Sequence, residues 1–100
     1  MKHHRFHPEA RNEARSAAAW YRERSPDAAR GFTDEVAEAL LSIRRHPLAW
    51  PTWHRADVRQ RVLPKYPYSL FYMVEADAVV ILAVAHHKRR PGYWLPRIRR

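Results

Sequence analysis

The chain has 100 residues, enough for one domain and one modest core. It contains no cysteine, which excludes a disulfide scaffold, a thiolate metal site and a cysteine nucleophile, and fits a reducing, cytoplasmic setting. The net charge of +9 is unevenly carried: residues 1–38 hold seven Lys/Arg against seven acids, residues 39–100 twelve against three. A cationic half of that kind implies a polyanionic partner, either nucleic acid or a strongly acidic protein segment.

The opening MKHHRFH is polar and lacks the apolar stretch of a signal peptide. Residues 2–7 read as a short strand, with His3, Arg5 and His7 alternating against His4 and Phe6. Pro8 and Glu9 start a helix, proline at its first position and an acid in its first turn. Ala10, Ala14, Ala17 and Tyr21 fall at helical spacing, and Ala18 and Trp20 widen the stripe. That helix ends near Arg24, where Ser25-Pro26-Asp27 begins a second, with serine as N-cap. Ala29, Phe32, Val36, Leu40 and Ile43 form the buried stripe of the second helix, while Asp34, Glu35 and Glu38 face outward. Pro47 stops it by disfavouring helical geometry at His46.

Residues 47–57 read as an irregular flap whose Trp50 and Trp53 pack over a core edge. From Val58 to Leu63 the pattern alternates, with Val58 and Val62 on one face and Arg59 and Arg61 on the other. Pro64 and Pro67 bracket a stiff connection to a second strand, Tyr68 to Glu75. Glu75-Ala76-Asp77-Ala78 is a short hairpin loop into Val79–Ala85, apolar on both faces and therefore central. The longest apolar run, Ala78 to Ala85, falls well short of a membrane span. Pro91-Gly92 breaks the chain, and Tyr93-Trp94-Leu95 forms a short amphipathic patch before a basic tail.

Two helices ahead of a three-strand meander give a single α+β domain over residues 1–100. The expected fold is a two-layer sandwich, β-α-α-β-β-β, with an antiparallel sheet and a helical hairpin on one face. The other face is expected to lie open to water or a partner.

No chemistry of the motif-bearing kinds is encoded. Two glycines cannot build a phosphate-cradling loop, and the basic half lacks paired carboxylates. His3, His4 and His7 belong to a solvated terminus, so neither a metal nor a cofactor is expected. The remaining signal is Arg59, Arg61, Lys65, Lys88, Arg89 and Arg90, interleaved with Tyr66, Tyr68, Tyr93 and Trp94. Guanidinium forks suit phosphates and aromatic faces suit unpaired bases, yet the same surface suits an acidic protein helix. His86, next to this cluster, is the candidate acid/base group.

The run VRQRVLPKYPYSLFYMVE, then AVAHHKRRPGYW, resembles the RelE/ParE toxin superfamily of bacterial type II toxin–antitoxin systems, and both helices also fit. The resemblance implies a cognate antitoxin with an acidic C-terminal segment and one of two activities. RelE-like members cut mRNA on the ribosome with basic residues and a tyrosine; ParE-like members inhibit DNA gyrase by binding. The resemblance puts Gln60, Val62 and Ser69 at positions where nuclease members carry lysines and an arginine, which favours the ParE-like reading. A register one residue away would instead bring Arg59 and Arg61 into those positions. A nuclease would then draw on Arg59, Arg61, His86, Arg89 and Tyr93. The binding reading uses Arg59, Arg61, Lys65, Lys88, Arg89, Arg90, Tyr93 and Trp94. An inactive interaction module of the same fold is the third possibility.

Overall fold

A computed structural model describes residues 1–98, so the basic tail of Arg99 and Arg100 lies outside the described residues. Strand β1 (His3–Phe6) leads into helices α1 (Pro8–Arg24) and α2 (Pro26–Arg45). Strands β2 (Arg59–Val62), β3 (Tyr68–Val74) and β4 (Ala78–His86) follow, and a single 3₁₀ turn spans Leu95–Arg97. No helix among the described residues is long and apolar enough to cross a membrane.

Local chemistry sets both helices. His7 caps α1 through Nδ1, which accepts from the Glu9 N–H at 3.1 Å, and Pro8 fills the first turn. Ser25 serves two helices at once. Its backbone N–H closes α1 on the Tyr21 carbonyl at 2.7 Å, and its Oγ accepts from the Ala28 N–H at 3.2 Å to open α2. A one-residue hinge of this kind forces the two helices into a tight hairpin.

The sheet order is β1-β4-β3-β2. The three later strands are antiparallel, as expected, but β1 runs parallel to β4, so the sheet is mixed. The hairpin supplies the reason. Helix α1 continues along β4 in the direction of β1, and α2 brings the chain back beside the start of β1, where the Lys2 N–H donates to the Arg44 carbonyl at 3.1 Å. Strand β2 and, two reversals later, β4 therefore run the same way as β1.

The helices cover one sheet face. Ala10 and Ala17 of α1 and Phe32, Ala39 and Ile43 of α2 meet Leu70, Tyr72, Val79, Ile81 and Val84 in one core. The alanines allow α1 to lie close to β4, while Tyr21, Phe32, Tyr66 and Tyr68 interlock edge-to-face at the wide end.

The β3–β4 pairing contains a bulge. Phe71 pairs with Ala83 and Tyr72 with Ile81, leaving Leu82 as the extra residue. Strand β4 therefore changes phase midway. Ile81 and Val84 both enter the helix-side core, and Leu82 and Ala83 both enter a second one.

That second core overturns the expectation of an open face. Val58, Phe71, Leu82, Ala83, Ala85 and Trp94 form it, with Trp53, Tyr93, Leu95 and Ile98 packed around them. The amphipathic patch after Pro91 is the cover of this face. Gly92, at φ +78°, turns the chain back so that residues 93–98 lie across the sheet. A Cβ at Gly92 would also stand 3.0 Å from Leu95 Cδ1 and 3.1 Å from Trp53 Cη2. Gly92→Ala should therefore cost about 1–3 kcal/mol, read as a lowered urea midpoint at unchanged m-value.

The flap straddles the β2 edge, as its two tryptophans suggested. Trp50 packs on the helix-side core and Trp53 on the second one. Between them Thr52 bridges Arg59, and Gln60 donates its N–H to the Pro51 carbonyl at 3.0 Å. This strap occupies a strand edge that would otherwise be free to pair with another chain.

Candidate functional site

Strands β2 and β3 bring Gln60, Val62 and Phe71 to the covered face, and the turn after β4 curls over them. The result is a cleft of about 310 Å³ between the sheet and the segment from Arg89 to Trp94. Gln60 Nε2 donates to Ser69 Oγ at 3.0 Å, and Ser69 Oγ meets His87 Nε2 at 2.9 Å. This polar chain runs from Gln60 on β2 through Ser69 on β3 to His87, the residue after β4. Val62, half exposed on the edge strand, forms part of the wall.

The predicted cations separate into two groups. Arg59 and Arg61 point to the helix side, beneath the flap. Arg59 NH1 donates to the carbonyls of Leu48 at 3.2 Å and Trp50 at 2.6 Å. The Arg61 guanidinium lies 4.2 Å over the Trp50 ring and donates to the Val62 carbonyl at 2.7 Å. Both are positioned against Tyr72, whose hydroxyl donates to the Pro47 carbonyl at 2.7 Å. Burial pushes the Tyr72 phenol up to about 12, against the pull of the two guanidiniums.

The second group is displayed. Lys88, Arg89 and Arg90 are exposed in the turn after β4, with Arg89 stacked 3.8 Å over the Tyr93 ring. Lys65 is exposed in the β2–β3 connection, where its backbone N–H donates to Glu35 Oε1 at 3.2 Å. His86 falls on the helix side of β4, edge-to-face on Tyr68 at 5.0 Å, and His87 takes the polar chain. The bulge at Leu82 sets that assignment.

Tyr93 and Trp94 are structural in their contacts. Trp94 is 1% exposed, 4.7 Å from Phe71 and 4.8 Å from Trp53 between ring centroids. The Tyr93 hydroxyl donates to Glu13 Oε2 at 2.6 Å. Burial, then the hydrogen bond to Glu13 and its charge, raise the Tyr93 phenol far above its ordinary value.

Glu13 and Arg97 were not marked by the sequence reading, yet they join α1, β4 and the C-terminal cover. Arg97 donates to Glu13 Oε1 at 3.0 Å and to Oε2 at 2.8 Å, a bidentate pair whose side chains are 14% and 15% exposed. Beyond Ile81, β4 has outrun the four-residue β1, and its backbone edge lacks a strand partner. Glu13 Oε1 accepts the Val84 N–H at 2.9 Å, and Arg97 donates to the Leu82 carbonyl at 2.9 Å. The ion pair thus satisfies the bulged edge. Burial pushes the Glu13 carboxyl up, but bonds from Arg97, Tyr93 and Val84 outweigh it and hold it below its usual range. One signal was available: Glu13 sits between Ala10 and Ala17 on the apolar stripe of α1, and a carboxylate there needs a buried partner.

A second concavity, about 610 Å³, runs between α1 and the ends of β3 and β4. Ala17, Tyr21, Tyr68 and Val84 line it, and Trp20, 51% exposed, stands at its rim. Arg24 lies 3.6 Å over the Trp20 ring, and Arg89 reaches the same groove. No group of three or more metal-ligating side chains occurs among the described residues.

A comparison with curated proteins gave no match. Among solved structures, a chain described as the chromosomal ParDE TA system from P. aeruginosa has a similar fold, with a TM-score of 0.74 at 16% identity. The match covers 86% of this chain and 96% of that one. The family described as the ParE toxin of the type II toxin-antitoxin system, parDE, matches residues 4–91. On that match, which spans the helical hairpin, the sheet and the turn after β4, the chain belongs to the ParE toxin family.

Proposed function

We propose that this protein is the toxin of a type II toxin–antitoxin pair, acting in the cytoplasm by binding DNA gyrase and not by cutting RNA. One observation carries the choice. On the sheet face where a nuclease of this fold would need cations, β2 and β3 present Gln60, Val62 and Ser69. Arg59 and Arg61 are turned to the other face and engaged by flap carbonyls and Trp50, which argues against the shifted register. The Tyr93 hydroxyl is engaged as a donor to Glu13, which withholds it from proton transfer to a substrate. Target contact then falls to Lys65, Lys88, Arg89 and Arg90.

A cognate antitoxin with an acidic C-terminal segment fits the groove beside α1. Apolar side chains of that segment would cover Trp20 and Tyr68, and its carboxylates would meet Arg24 and Arg89. Raising salt from about 0.1 M to about 0.5 M should weaken the complex about tenfold, and an affinity indifferent to salt would remove the electrostatic part.

The purified chain should block supercoiling by gyrase while leaving cell-free translation intact. Cleaved mRNA with normal supercoiling would overturn this reading in favour of a ribosome-dependent nuclease. Silence in both assays would favour an inactive interaction module.

A further inference from the structure

The cleft under the turn after β4 and the groove beside α1 share one wall, since His86 and Arg89 line both. His86 is fixed there, edge-to-face on Tyr68 and accepting the Lys88 N–H on Nδ1 at 3.0 Å. Arg89 is held less firmly. Its side chain is exposed and stacks at 3.8 Å on the Tyr93 ring, with no hydrogen bond of its own among the described residues. A stack at an exposed site is weak, and a carboxylate that pairs with the guanidinium edge can displace it.

The ring beneath Arg89 does not follow it. The Tyr93 hydroxyl donates to Glu13 Oε2 at 2.6 Å, and Glu13 is bound in turn to Arg97 and the Val84 N–H. Arg89 alone is therefore free to swing between the two concavities.

The groove invites a carboxylate. Glu13 is the one acidic side chain lining it, and both Glu13 oxygens already accept from Arg97. The cations at hand are Arg89 on its wall and Arg24 over the rim tryptophan. Yet Arg89 carries a single charge. Once paired inside the groove, it no longer attracts an anionic group at the cleft mouth, where Arg90 is left alone.

We propose that Arg89 is the contact through which an acidic segment in the groove switches off target binding. The segment's carboxylate draws the guanidinium off Tyr93 and out of the target interface. The inference rests on the docking function proposed above and supplies its regulation. Linkage makes the effect reciprocal, so a bound target weakens the groove by the same factor.

A blocked amphipathic peptide of about twelve Leu, Ala and Glu residues, titrated into the full chain and followed by NMR, tests it. The Trp20 indole signal reports the groove, and the Arg89 side-chain signals, shifted by the Tyr93 ring, report the stack. Both should move on one binding curve, the Arg89 signals toward those of an unstacked arginine. Arg89→Gln, an exposed change that spares the fold, should weaken the peptide about fivefold. Arg45→Gln, equally exposed on α2 and outside both concavities, loses the same charge and should weaken it less than about twofold. In the supercoiling assay, saturating peptide should relieve the parent's block about tenfold, an ordinary coupling between sites, and that of Arg89→Gln hardly at all.

A Trp20 shift with Arg89 still stacked would overturn the proposal, as would equal losses from the two variants. Equal relief of both blocks would mean that the occupant excludes the target by bulk, and would overturn it too. No Trp20 shift at about 1 mM peptide would remove the acidic occupant and the proposal with it. A chain that never blocks supercoiling would fell the gyrase reading alone, because the NMR titration still decides where Arg89 goes.

Discussion

Glu13→Ala is expected to destabilise the protein by about 3–5 kcal/mol, the range for removing one partner of a buried ion pair. The substitution strands more than a charge. Arg97 loses both carboxylate bonds, the Val84 N–H loses its acceptor, and the Tyr93 hydroxyl loses its own. All three groups are part-buried, so each loss carries a desolvation cost. Urea unfolding of the two proteins measures the difference. A loss below about 1 kcal/mol, the level of a surface pair, would mean that water reaches the clamp and replaces it.

The same clamp predicts an acid limb. The Glu13 carboxyl is held below its ordinary value of 4.5 in the fold, so the unfolded chain takes up a proton first as pH falls. Its stabilisation is complete above that ordinary value and is lost as pH drops through the lower folded one. Stability plotted against pH should fall on the acid side in the parent protein and fall less steeply in Glu13→Ala. Parallel curves would sink the assignment of the acid limb to this residue.

Trp94→Ala is the second large effect, also about 3–5 kcal/mol, as for truncating a buried aromatic. The ring is 1% exposed and fills the space between Phe71 and Trp53, so its removal leaves a void under a short segment that cannot collapse. Loss of the cover would bare the apolar face of β3 and β4, and dye binding to exposed apolar surface should rise with the lowered midpoint. Tyr93→Phe, which deletes one hydroxyl and keeps the ring, should cost only about 1–2 kcal/mol. Equal costs for the two variants would show that the cover is held by the Glu13 bond and not by packing.

These residues mark how far the sequence could be read. The helical hairpin was legible because its signals are local. Pro8, Ser25, Pro26 and Pro47 set its ends within a turn of where they act. The meander was legible for the same reason, from alternation and the Glu75–Ala78 hairpin. The surplus of basic residues was legible, but not its division between faces: Arg59 and Arg61 face the helices beneath the flap, whereas Lys65, Lys88, Arg89 and Arg90 are displayed. Strand alternation had put Gln60 and Val62 opposite those arginines. Which of the two faces met the helices depended on partners far along the chain.

The bulge at Leu82 shows the same limit from inside a strand. Nothing in AVVILAVAH distinguishes one apolar residue from the next, yet one extra residue there decides which face His86 and His87 occupy. The Glu13–Arg97 bond joins residues 84 positions apart, and the carbonyl and N–H that it serves exist as unpaired groups only because β1 is short. By itself the sequence determined the elements, their ends and the surplus of charge, because capping, proline geometry and periodicity act over a few residues. Tertiary structure alone decided the parallel pairing of β1, the burial of Trp94 and the split of the cations between two faces. Those depend on which backbone edges and apolar surfaces remain unsatisfied once the sheet is assembled, and no local stretch carries that information.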